Sequence, residues 1–294
     1  MKKTEPFKLF GIFGYPLGHT LSPYMHEAGF RAIGLDANYI VLELDPDSFR
    51  TAMRDLKKCV LSGFNVTVPY KETVSRYLDK VSTEARAIGA VNTVYKKGGK
   101  WYGTNTDMEG FLLSLARDAK FSPRGKRAVV LGAGGASRAV VYGLSKEDAA
   151  AVTIVDVFPE KAGRIAEAIA GIFPKTDCRA FAAGDPGIRD RIEEADLVIN
   201  ATPLGLKSED PLAVSQEWIP KAGRRPKLFM DLIYNPERTR FLKIAGRRGH
   251  KTLNGLGMLF YQGVRAFECW SGGKAPLSAM KTALLEALQG KGKS

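Results

Sequence analysis

Apolar residues in this chain recur in short runs, each closed by glycine, proline, asparagine or serine, and the runs alternate with stretches of helical apolar spacing. Runs at 9–13, 38–44, 63–69, 128–131, 151–155, 195–200 and 228–233 predict strands, and 251–253 predicts a last short one. Helical spacing marks 48–58 through Phe49, Met53 and Leu56, then 108–119, 138–144, 160–172, 238–248, 257–270 and 278–288. Pro23 suits a first helical turn, with Ser22 as its cap, and Pro69 ends a strand so that Tyr70, Lys71 and Glu72 open a helix. Residues 87–95 and 101–107 flank a Lys-Lys-Gly-Gly-Lys turn and predict a hairpin. Strand and helix alternating in this way predict an α/β fold.

The segment 127–137, RAVVLGAGGAS, organises the rest. Its apolar half predicts a strand buried on both faces, and Gly132, Gly134 and Gly135 let the backbone turn tightly under an anion before a helix begins. Unpaired amides at that helix's first turn would face a pyrophosphate. The next apolar run ends in Asp156, about 24 residues after Gly132, near the spacing at which a Rossmann acid meets a ribose hydroxyl. A dinucleotide site is expected here.

Composition narrows the class. The 294 residues suffice for two cored domains, and 45% hydrophobic content suits a globular chain. The N-terminal MKKTEPFK is too short and polar for a signal peptide and no apolar run reaches spanning length, so a cytoplasmic protein without a membrane partner is expected. Cys59, Cys178 and Cys269 lack the paired spacing of a zinc or redox site, and no metal is expected. The net charge of +13 is spread along the chain, and its densest cluster, 221–227, carries no interleaved aromatics. No helix-turn-helix or zinc pattern accompanies it, so nucleic acid is not the expected partner.

Candidate chemistry sits at strand ends. Thr20 and Ser22 place two hydroxyls beside a helix start, suited to a carboxylate, although a cap and a turn residue explain them too. Lys71 lies at the C-terminal mouth of its strand, where open α/β sheets bind ligands. Asn92 and Asp107 come from neighbouring segments, and singly a turn residue and a helix cap account for them.

Together GYPLGHTLSP, NVTVPYK, GAVNTV, GTNTD, GAGGAS, NATPLG, DLIYNP and GLGMLFYQG, in this order over about residues 9–270, resemble the shikimate and quinate dehydrogenase family. The resemblance implies an N-terminal α/β substrate domain (1–107), an inserted Rossmann domain with a doubly wound parallel sheet (108–252), and C-terminal helices (253–294) that return to the first domain. It implies reversible hydride transfer between a nicotinamide and a ring hydroxyl of a cyclohexene or cyclohexane carboxylic acid, in a monomer or homodimer. Lys71 is then the acid/base residue, paired with Asp107. Thr20, Ser22 and Tyr234 hold the carboxylate, and Thr67, Asn92, Asp107 and Gln262 meet ring hydroxyls. The cofactor residues are Gly132, Ala133, Gly134, Gly135, Ala136, Asp156, Thr202, Leu232 and Gly255.

The reaction needs a group that takes and returns the hydroxyl proton within hydrogen-bond reach. An ordinary lysine is a poor base at neutral pH, so Lys71 is expected to act mainly as donor in the reduction direction, oriented by Asp107. Thr20 stands where serine is commoner in the family, and its methyl leaves shikimate and quinate both open. Family members that take NADP usually show Asn-Arg-Thr/Ser where this chain has Asp156-Val157-Phe158. A carboxylate there binds both ribose hydroxyls and repels a phosphate, so NAD is expected, with NADP as the alternative. Ser137 stands where a third glycine is common, with looser helix packing expected and a hydroxyl available to a phosphate. A dedicated quinate dehydrogenase and a non-catalytic dinucleotide sensor are the rival readings.

Overall fold

The computed structural model describes residues 6–18 and 20–290. His19, the last four residues and most of the N-terminal segment weighed as a signal peptide lie outside them. The chain forms two compact units, 1–106 with 260–294, and 107–259. The motif order places the corresponding divisions at 107/108 and 252/253.

The first unit begins β1 (Lys8–Gly14), α1 (Ser22–Ala32), β2 (Ala37–Glu43), α2 (Pro46–Arg54) and β3 (Gly63–Val66), followed by β4 (Lys80–Val81), α3 (Thr83–Ile88), β5 (Thr93–Lys97) and β6 (Lys100–Thr104). Its sheet runs β2-β1-β3-β5-β6-β4. β1 is parallel to β2 and β3, with Phe10 opposite Tyr39 and Gly63, while β5 is antiparallel to β3 and β6. The start of β5 therefore lies at the end of the sheet where β1 and β3 finish, and Val66 N–H donates to the Asn92 carbonyl at 2.8 Å. Gly98 and Gly99 close the hairpin, both in the left-handed region that a two-residue turn needs. Phe13, Phe49, Phe64, Val91 and Trp101 form the core on one face.

The second unit holds α4 (Asp107–Arg117), β7 (Arg127–Leu131), α5 (Gly135–Lys146), β8 (Ala151–Asp156), α6 (Pro159–Ile172), β9 (Asp177–Ala182), α7 (Gly187–Glu194), β10 (Leu197–Asn200), β11 (Leu228–Asp231), α8 (Arg240–Arg247) and β12 (Lys251–Leu253). Its all-parallel sheet runs β12-β11-β10-β7-β8-β9, so the direction of winding reverses between β7 and β10. This is the doubly wound order, with the crevice for a dinucleotide at the carboxyl ends of those two strands. β9 and α7 escape the apolar pattern because Asp177–Ala182 is a half-exposed edge and Gly187–Glu194 buries only Ile188 and Ile192.

α9 (Leu256–Ser271) and α10 (Leu277–Leu288) close the chain. Phe267 stacks on Phe30 of α1 at 5.3 Å, and Trp270 donates its indole N–H to the Val94 carbonyl at 3.0 Å. His26 of α1 is fully buried among Tyr39, Trp270, Phe30 and Phe267, with neither ring nitrogen hydrogen-bonded.

Three local expectations change. Ser22 is the first residue of α1 rather than its cap; Leu21 holds the cap position without a side-chain bond, and Ser22 N–H donates to Thr20 Oγ1 at 3.3 Å. Lys71 lies in a run of turns, because Tyr70 N–H bonds back to Thr67 O and Thr73 N–H to Tyr70 O, and a 3-10 turn at Val74–Tyr77 follows in place of an α-helix. Ser137 donates its hydroxyl to the Gly132 carbonyl at 2.5 Å and is completely buried. Its proton closes the glycine turn and is not left free for a phosphate.

Candidate active site

At the carboxyl end of β1 and β3, the first unit gathers most of the expected substrate residues. Thr67 follows β3, and its N–H donates to Phe13 O at 2.8 Å; a side-chain carbon at Gly14 would strike the Thr67 methyl, so the two strand mouths touch. Lys71 is half-buried, and its carbonyl accepts from Val91 N–H at 2.8 Å, which pins the turn carrying it to the segment that leads to Asn92. Thr20 and Ser22 share the loop after β1.

Asn92 is the most enclosed of the set. Its Oδ1 accepts from Thr106 N–H at 2.8 Å and from the Thr93 hydroxyl at 3.0 Å. A backbone N–H can only donate, so the amide orientation is determined: Nδ2 donates to Thr106 Oγ1 at 2.9 Å and to Gln262 Oε1 at 3.4 Å. Thus α9 delivers Gln262 to Asn92. Asp107, buried, follows Thr106 directly and opens α4; it belongs to the second unit, as does the half-buried Tyr234.

In the second unit the expected cofactor residues converge on the carboxyl ends of four strands. Gly132 has φ +104°, and a Cβ there would press on Ala201 and on the Thr202 methyl at 3.1 Å. Gly134 occupies the cap position of α5, with no side-chain cap bond and no acidic residue in the first turn, which includes Gly135 and Ala136. That donor-only helix start fits a pyrophosphate. Asp156 ends β8, and its two oxygens accept from Ala133 N–H at 2.7 Å and Phe158 N–H at 2.8 Å. Leu232 and Gly255 adjoin so closely that a Cβ on Gly255 would overlap the Leu232 carbonyl.

Sequence reasoning missed the residues that hold these loops. Asn200 Oδ1 accepts from Thr202 N–H and from its hydroxyl, and Asn200 Nδ2 donates to Leu204 O and to Asp231 Oδ1. Asp231 also accepts from Thr239 Oγ1 at 2.7 Å; burial raises its carboxyl above the usual range, opposed by those three donors from Thr239, Ile233 and Asn200. A polar residue ending each buried apolar run, Asn200 and Asp231, was the available signal. Asn65, inside β3, is a third missed residue and carries no such signal. Among the described residues, no group of three or more His, Cys, Asp or Glu side chains is placed to hold a metal, and no helix is long and apolar enough to cross a membrane.

A doubly wound sheet with an uncapped glycine turn and an acid at the second strand defines a dinucleotide-binding protein. Its relatives make it an oxidoreductase of the alcohol type. Residues 12–94 match the shikimate dehydrogenase substrate binding domain, and residues 255–285 match the shikimate 5'-dehydrogenase C-terminal domain. The chain is 40% identical over 284 residues to a shikimate dehydrogenase (NADP(+)) of Methanopyrus kandleri, covering 95% of each chain. The crystal structure of shikimate dehydrogenase from Aquifex aeolicus superposes with TM-score 0.82 at 38% identity, covering 95% of this chain and 97% of that one. Shikimate 5-dehydrogenase from Listeria monocytogenes in complex with shikimate and NAD superposes with TM-score 0.83 at 31% identity, covering 97% and 98%. The chain belongs to the shikimate/quinate dehydrogenase family.

Proposed function

We propose that this protein catalyses reversible, NAD-linked hydride transfer between shikimate and 3-dehydroshikimate. The observation that carries the reading is the pre-oriented donor of Asn92 beside Gln262, in the unit that also holds Thr20, Ser22, Thr67 and Lys71. A site built from fixed hydrogen-bond partners selects a polyhydroxylated ring, because an analogue lacking a hydroxyl leaves those partners unpaired. Thr20 and Ser22, with Tyr234, hold the carboxylate. Lys71 donates a proton to the oxygen that becomes the hydroxyl, and takes it back in the reverse direction, while Asp107 orients the ammonium and the hydroxyl. The bound nicotinamide supplies or accepts the hydride.

The preference for NAD rests on this chain's own residues, since the relative from Methanopyrus carries NADP(+) in its name. Asp156 already accepts two backbone N–H groups and keeps lone pairs for the ribose hydroxyls, while a phosphate at that ribose would face its charge. Val157 and Phe158 supply no cation, and the Lys161 ammonium sits over the Phe158 ring, 4.6 Å from its centre. Initial rates followed at the NADH absorbance band, with shikimate and quinate and with both cofactors, test the reading. The highest kcat/KM is expected for shikimate with NAD. A clear NADP preference overturns the cofactor assignment, and turnover of neither acid overturns the substrate assignment.

A further inference from the structure

Behind Asn92 lies a buried hydrogen-bond chain whose polarity can be read from its backbone ends. Asn65 of β3, 5% exposed, donates Nδ2 to the Asn92 carbonyl at 3.1 Å and to Thr93 Oγ1 at 3.1 Å. A carbonyl accepts only, so Nδ2 is correctly placed and Asn65 Oδ1 must face Tyr39 as an acceptor. The Tyr39 hydroxyl donates to it at 2.8 Å. Thr93, which accepts from Asn65, has its one proton facing Asn92 Oδ1 at 3.0 Å and Thr106 Oγ1 at 3.2 Å. With Thr106 N–H on the same oxygen, Asn92 is committed to presenting N–H.

Tyr39 is built for a permanent donor. It is 3% exposed, its ring stacks on His26 at 4.8 Å, and burial raises its hydroxyl well above the ordinary range so that the proton stays.

We propose that Tyr39 is a positioning residue for the substrate site: its hydroxyl satisfies the Asn65 acceptor, and the Asn65 amide in turn holds the Asn92 carbonyl and the Thr93 hydroxyl behind the Asn92 side chain. The proposal rests on the reading of Asn92 as a substrate residue, and reaches beyond it to a side chain on β2 that need not touch the ligand. The amide lock itself is independent of which ligand binds.

The test is Tyr39→Phe, which keeps the ring stack and removes one hydroxyl. With shikimate, kcat falls about tenfold, because the ring hydroxyl loses a fixed partner. Inhibition by benzoate, a carboxylate without ring hydroxyls, is unchanged. Adding Tyr39→Phe to Asn92→Ala costs no further kcat, since the lock then has nothing to hold. In ligand-free protein, Tyr39→Phe shifts the Asn65 and Asn92 side-chain amide resonances, a readout that stands even if shikimate is not the substrate. Unmoved Asn92 amide signals, additive losses in the double variant, or weaker benzoate inhibition would each overturn the proposal.

Discussion

The side-chain amide of Asn92 donates to Gln262 Oε1 at 3.4 Å, joining residues 170 positions apart. The contact exists because α9 brings its middle back against the loop before β5. Gln262→Ala should raise KM for shikimate about tenfold, the scale of one hydrogen bond, with NADH affinity unchanged. Steady-state kinetics and NADH fluorescence titration measure the two separately.

Lys71→Ala should lower turnover by at least ~100-fold, in line with loss of a general acid/base, while NADH still binds. Near-normal turnover in that variant would remove Lys71 from the mechanism.

Asp156 accepts from both the glycine turn and the segment after β8. Asp156→Ala removes the ribose acceptor and frees Ala133 N–H, so the NADH Kd should rise about tenfold or more, as expected for charge-assisted hydrogen bonds. Calorimetric titration showing an unchanged Kd would contradict the role given to this carboxylate.

Gly255 leaves no room for a side chain beside the Leu232 carbonyl. Overpacking of this kind costs about 1–3 kcal/mol, so Gly255→Ala should lower the urea midpoint and raise the KM for NAD. Gly163→Ala, with open space around it, is the control.

Burial pushes the His26 imidazole down to about 3 from 6.5, so the folded protein keeps it neutral. The resulting stability is fully present above the unfolded value and is lost as pH falls from there through the folded value. By about pH 5, protonation of the unfolded chain should remove about 2 kcal/mol relative to neutral pH. His26→Phe, which retains a ring against Tyr39, should flatten that part of the pH dependence in urea titrations.

Much of the architecture was legible in the chain. Apolar runs such as 128–131 and 195–200 are strands because both their faces are covered, and periodicity reports burial directly. The glycines of 132–135 announced the turn because Gly132 adopts a backbone conformation that other residues avoid. β9 and α7 were invisible since half-exposed elements carry no such imprint. The sequence after Pro69 predicts a helix at Lys71 because its spacing does not distinguish repeated turns from a helical start.

For the site, the sequence by itself determined which polar groups stand at strand ends and that Asp156 follows the second strand of the nucleotide unit. Only the tertiary structure decided how their hydrogen bonds point. The Asn92 amide is oriented by Thr106 N–H and Asn65 is oriented by the Asn92 carbonyl; the Ser137 proton goes to Gly132. Local sequence sets what a side chain can donate or accept, but the partner that claims each lone pair comes from a distant segment, and packing alone brings the two within reach.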